Sequence, residues 1–140
     1  MLRARRDMGW ALLAGALALG LGGCGGGSAA NAGMNLVELN RAIREPVADP
    51  AASQTHSRLV EDVVDSRGLE GLGRVEVRAR IGEGEPCRFH PRCLELGFDD
   101  DDWYYTVGVA ADGFEGTLPL LIVGFDSSGS AARVWHLRVH

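Results

Sequence analysis

The spacing Cys87-x-x-His90-x-x-Cys93 puts three soft donors into one short segment. Two thiolates and an imidazole are ligands that zinc prefers, and His56, His136 or His140 could complete a tetrahedron. Three ligands from one tight loop seldom reach tetrahedral geometry, however. The competing chemistry is a disulfide, which needs the two Cα atoms within ~7 Å, and Pro91 helps the chain fold back. Closing so short a loop contributes roughly 2 kcal/mol in the chain-entropy picture. A Cys87–Cys93 disulfide and no metal are therefore expected.

The densest charge cluster, Asp99-Asp100-Asp101-Asp102, stands directly before Trp103. Oxygen ligands suit calcium, but the alternating spacing and terminal Glu of a calcium loop are absent. A solvated acidic turn, acting as a charged gatekeeper ahead of an aromatic strand, is the favoured reading of the run. As a docking surface for a basic partner, Asp99, Asp100, Asp101 and Asp102 join Tyr104, which falls on the opposite strand face from Tyr105. Tyr105 and Trp135 are expected in the core. No nucleophile elbow, catalytic triad or paired-carboxylate site is evident. All 14 basic residues are Arg, which removes lysine-based phosphate loops, Schiff bases and lysine general bases. The expectation is a non-enzymatic protein without cofactor.

These residues must be positioned by a small number of elements. Asn35 opens a helical pattern carried by Leu36, Leu39 and Ile43, which Pro46 ends. This helix is expected to be short and loosely packed, with a loop from Ala48 to Gln54. Ser53 or Thr55 can cap a second helix bearing Leu59, Val60, Val63 and Val64, with Gly68 at its C′ position. Arg74 to Ile81 alternates like a strand, yet Leu72, Val77 and Ile81 also fit a helical face, so pattern alone leaves it open. Three strands follow: Trp103 to Val109, then Thr117 to Phe125 with Pro119 near its start, then Arg133 to Val139. In the last, Trp135, Leu137 and Val139 share one face and His136 and Arg138 the other. Asp126-Ser-Ser-Gly129 supplies a turn, Asp capping it and Gly taking positive φ.

The first 23 residues have the grammar of a secretory signal: Arg3, Arg5 and Arg6, then an apolar run from Trp10 to Gly23. As a helix that run spans about 20 Å, short of the ~30 Å hydrocarbon core, which disfavours a permanent membrane span. Leu21-Gly22-Gly23-Cys24 resembles the bacterial lipobox, in which the cysteine receives the lipid; the alternative is a stray cysteine in a Gly-rich leader. Two or three acyl chains at roughly 0.8 kcal/mol per CH₂ make such an anchor essentially permanent. Gly25 to Gly33 reads as a flexible tether. No Asp follows Cys24, which favours the outer membrane, facing the periplasm. Gly20-x-Gly22-x-x-Gly25 matches a dinucleotide fingerprint only formally, inside the leader. With the three Arg and Asp7 of the leader removed, the net charge of −5 becomes −7, a poor basis for binding nucleic acid.

Three segments in order resemble a known family. Leu69 to Pro86 looks like the helix-and-turn segment of small BamE-like (SmpA/OmlA) outer-membrane lipoproteins. Trp103-Tyr104-Tyr105 is similar to its aromatic strand, and Leu120-Leu-Ile-Val-Gly-Phe-Asp-Ser-Ser-Gly129 to its hairpin. Together they cover Leu59 to Val139. The resemblance implies an α+β fold with two helices on one face of a three-stranded antiparallel sheet (α-α-β-β-β), occupying residues 55–140, with Arg74 to Ile81 as helix. It also implies a scaffold or binding role in outer-membrane or barrel assembly, through a protein partner in the envelope and contact with the membrane. The fold is shared by β-lactamase-inhibitor-like modules, so an inhibitor-like or ligand-binding role is the alternative. The chain departs from the pattern at Gly73, where a capping Ser or Thr is usual, and in the long Gly84 to Asp102 stretch.

Overall fold

The computed structural model describes residues 26–138, with side chains from residue 30 onward. The expected signal peptide (1–23), Cys24, Gly25, Val139 and His140 lie outside the described residues.

Helix α1 spans Gly26–Ala42, so it starts inside the stretch expected as tether and well before Asn35. Tertiary packing compensates for its glycines: Ala32 and Leu36 lie against Gly68, where an added Cβ would meet them at 3.8 and 3.7 Å. Leu36, Leu39 and Ala42 are buried in the main core. The helix expected to be loose is thus integral, and the core begins ahead of residue 55.

Helix α2 spans Pro50–Asp65, with Asp49 as its N-cap and Pro50 in the first turn. The Asp49 carboxylate accepts the Ala52 N–H at 2.8 Å, and proline's fixed φ suits that position. The caps expected at Ser53 and Thr55 are replaced: Ser53 donates to the Thr117 carbonyl at 2.9 Å and Thr55 back-bonds to Ala51 at 3.1 Å. At the other end Arg67, not Gly68, takes the left-handed conformation, with φ of 54°. The N–H groups of Arg67 and Gly68 bond the carbonyls of Val64 and Val63 at 3.0 and 3.3 Å, a Schellman closure.

Arg74–Ile81 is helix α3. Glu76 reaches back to accept the Gly73 N–H at 2.8 Å, half of a capping box, since glycine offers no side chain for the reciprocal bond. Val77 and Ile81 enter the core while Arg78 and Arg80 stay exposed, so burial of one helical face decides a segment that its strand-like alternation left open.

The sheet is antiparallel with strand order β2-β3-β5-β6. Its strands are β2 (Glu85–Pro86), β3 (Trp103–Thr106), β5 (Leu120–Phe125) and β6 (Ala131–Leu137). The last three form the expected meander. The two-residue β2 makes a fourth strand, because the long Gly84 to Asp102 stretch returns along the edge of β3. Val109–Ala110 (β4) leaves the sheet and pairs in parallel with Pro46–Val47 (β1). His56 is buried beside this clip, with Nδ1 3.2 Å from the Val107 carbonyl and Nε2 3.4 Å from Glu45. Gly108 has φ of +115°, and a Cβ there would fall 2.6 Å from Val47.

Both sheet faces are covered. Trp103, Tyr105, Leu121 and Val123 meet α1, α2 and α3. On the reverse face, Leu120 and Ile122 pack on Cys87, Cys93 and Phe98, from the segment holding α4 (Pro91–Glu95). The domain is α+β as expected, but the described residues hold four helices and a four-stranded sheet, where a short leading helix, two packed helices and three strands were expected. The added helix, α4, is short and lies on the opposite face.

Candidate functional site

The sulfurs of Cys87 and Cys93 lie at bonding distance, with the Cα atoms 5.4 Å apart. A 3₁₀ turn over Cys87–Phe89 and then α4 bring them together, and both are fully buried. The histidines weighed as fourth metal ligands are elsewhere: His56 sits at the β1–β4 clip, and His136 faces α2 across the sheet. His90, between the cysteines, stacks edge-on against Tyr104 with ring centroids 4.9 Å apart. Its Nδ1 is buried without a hydrogen-bond partner among the described residues.

The acidic run divides. Asp99, Asp100 and Asp101 are exposed, whereas Asp102 is only 5% exposed. The Asp102 carboxylate accepts the Asp99 N–H at 2.8 Å and the Phe125 N–H at 2.9 Å. A surface role for Asp102 is therefore corrected: its charge ties the acidic turn to the end of β5. The turn's backbone ties in more. Carbonyls of Asp102 and Asp100 accept the Cys87 and Arg88 N–H groups, and that of Asp101 accepts from Arg74 at 3.0 Å. Arg88 also pairs with the Asp101 carboxylate at 2.8 Å. Exposed as that pair is, its stabilising effect is small.

Tyr104 is half-buried, and its hydroxyl donates to Glu85 at 2.8 Å. Burial and the Glu85 carboxylate push that hydroxyl above its ordinary value. Tyr105 is core, as expected, donating to the Gly82 carbonyl at 2.8 Å. Trp135 is not core: it is 44% exposed on the reverse face. The face expected to point outward carries His136 inward instead, because His136 is in register with the buried Leu121.

That inversion creates a constellation which sequence reasoning missed. Ser57 and Glu61 stand four residues apart on α2, and β6 brings His136 against both. The Ser57 hydroxyl is 3.2 Å from His136 Nε2, and His136 Nδ1 is 3.9 Å from Glu61. Arg138 holds Glu61 at 2.7 Å. The His136 side chain is 6% exposed. Burial holds its imidazole below the ordinary histidine value, against the pull of Glu61 and with a further lowering from Arg138. A pocket of about 300 Å³ opens beside Ser57, walled by Pro50, Ser53, Gln54, Phe114 and Thr117. The only signal in the chain itself was the i, i+4 placement of Ser57 and Glu61; nothing local points to His136, 79 residues away from Ser57.

Compared with known proteins, the chain matches no family model, no curated protein and no solved structure. Its geometry must therefore speak for itself. Among the described residues no helix is long and apolar enough to cross a membrane, and no group of three His, Cys, Asp or Glu side chains could hold a metal ion. On the reverse face a groove of about 630 Å³ runs past His90, Leu118, Leu120, Leu137 and Arg138.

Proposed function

We propose that the protein is an outer-envelope lipoprotein, anchored through Cys24, that works as a binding or scaffold module for a protein partner in the periplasm. The observation that carries this reading is the reverse face of the sheet. The disulfide segment covers only part of it and leaves Trp135 exposed on β6, with the Arg133 guanidinium 5.9 Å from its ring centroid and Tyr104 two strands away on β3. An exposed aromatic next to fixed charge is the kind of surface that anchors a partner. Helix α1 begins two residues after Cys24, so an anchor there holds the domain near the bilayer and presents this surface at short range. The helices packed on an antiparallel meander are compatible with a BamE-like arrangement, in which outer-membrane or barrel assembly is the natural setting.

The reverse-face groove favours a second reading, a ligand-binding or inhibitor-like module, since its volume falls within the range of small-molecule sites. Crosslinking in cells followed by mass spectrometry separates the two. Recovery of barrel-assembly components, lost on Trp135→Ala, supports the scaffold. Recovery of one soluble hydrolase supports the inhibitor-like module. A chain recovered from cells whose Cys24 carries no acyl mass would sink the anchor itself.

A further inference from the structure

The Ser57–His136–Glu61 constellation has the connectivity of an activated serine. A hydroxyl becomes nucleophilic when a neutral imidazole accepts its proton and a carboxylate orients the ring. The Ser57 hydroxyl lies 3.2 Å from His136 Nε2, and in the tautomer that carries its proton on Nδ1, the side of Glu61 at 3.9 Å, Nε2 is free to accept the Ser57 O–H. Glu61 acts on that tautomer through its charge alone, because 3.9 Å is beyond hydrogen-bond reach. Burial keeps the imidazole in its neutral, proton-accepting form near pH 7. Ser57 also lines a pocket in which a reacting group could sit. We infer that Ser57 is a nucleophilic serine, with His136 as its general base, acting on small uncharged acyl esters.

The pocket sets the substrate class. At about 300 Å³ it lies at the small end of ligand sites. No Arg, Asp or Glu lines it, so a charged acyl group would find no counter-ion. In the reaction, Ser57 Oγ bonds to the ester carbonyl carbon as its proton passes to His136 Nε2. The C–O bond to the alcohol breaks, and that proton leaves with the alcohol. Water then attacks the acyl-serine, gives up a proton through His136 and releases the carboxylic acid, restoring the Ser57 hydroxyl. Glu61 acts as a positioning residue. Its long approach to Nδ1, together with the Arg138 guanidinium on its carboxylate, makes turnover slow. This activity is separate from partner binding and stands or falls without it.

The test is covalent capture. The full chain is incubated with a small alkyl fluorophosphonate. Ser57 Oγ bonds to phosphorus, fluoride leaves, and the hydroxyl proton goes to His136. One adduct per chain is expected by intact mass, mapped to Ser57 by peptide sequencing, absent in Ser57→Ala and absent from the urea-unfolded chain. His136→Gln should label at least tenfold more slowly. Release of p-nitrophenol from p-nitrophenyl acetate should fall in parallel. Ser57→Ala removes one oxygen from a half-buried site, and circular dichroism verifies that it folds. Absence of any adduct, an adduct mapped elsewhere, or labelling that survives Ser57→Ala or urea overturns the proposal.

Discussion

Replacing Asp102 by Ala removes a buried carboxylate that satisfies two backbone donors, the Asp99 N–H at 2.8 Å and the Phe125 N–H at 2.9 Å. A hydrogen bond to a charged group contributes about 1.5–3 kcal/mol, and a donor left buried incurs its desolvation cost. Both bonds are lost in Asp102→Ala, so the expected destabilisation is roughly 3–5 kcal/mol, a large share of the ~5–15 kcal/mol of a typical domain. At about 4 °C per kcal/mol, Tm should fall by roughly 12–20 °C. Asp102→Asn keeps the shape but turns an amide N–H₂ toward one of the two donors, and about half the loss is expected. Asp100→Ala is the control. Its side chain is exposed, and it is its backbone carbonyl that receives the Arg88 N–H, so the change should stay within about 0.5 kcal/mol. Urea unfolding followed by tryptophan fluorescence measures all three. A loss below about 1 kcal/mol for Asp102→Ala, or an equal loss for Asp100→Ala, would refute the reading of Asp102 as a structural tie.

Other positions give sharper yes-or-no outcomes. A Cβ at Gly84 would lie 2.7 Å from Trp103 and 2.9 Å from the Tyr105 ring, so Gly84→Ala should cost about 1–3 kcal/mol of overpacking. Gly68→Ala, whose Cβ meets only ordinary contacts, should be near neutral in the same melting assay. The double variant Cys87→Ala/Cys93→Ala should lose roughly 2 kcal/mol, and a wild-type melt unchanged by dithiothreitol would contradict the bridge. Arg67→Gly relieves a left-handed non-glycine residue and should raise stability by about 1 kcal/mol, read as a higher denaturant midpoint. For His136 the folded chain binds its proton less readily than the unfolded chain. Its contribution is therefore complete above pH ~6.5 and is lost as pH falls below that value. The urea midpoint should drop between pH ~7.5 and ~5.5, and less steeply in His136→Gln; an identical slope would refute the assignment.

Local chemistry was legible wherever one short segment contains both the cause and its consequence. The Asp126 turn is one such case. Asp126 Oδ1 accepts the N–H groups of Ser128 and Ser130 at 2.9 and 3.1 Å, and Gly129 takes φ of +80°. The hydrogen bonds to Ser128 and Ser130 hold its carboxyl below the usual range. The pairing of Cys87 with Cys93 was legible for the same reason, as was the alternation of Trp103, Tyr105 and Val107. The start of α2 was readable in principle from Asp49-Pro50, but the later Ser53 and Thr55 offered equally good capping side chains. Ser53 instead faces Thr117, a contact that no local rule supplies.

By itself, then, the amino-acid order determined the turn chemistry, the cysteine pairing and the β-meander, because each depends on residues a few positions apart. Tertiary structure decided the rest. Arg74 to Ile81 became helix because Val77 and Ile81 could be buried together. Asp102 turned inward because two backbone donors needed an acceptor. β6 faced its His136 side to α2 because Leu121, its partner in register, was already in the core. A strand's alternation marks two faces, but not which of them meets the helices. That last choice left Trp135 exposed and placed His136 beside Ser57, so the two surfaces on which function is proposed both follow from packing that no local pattern records.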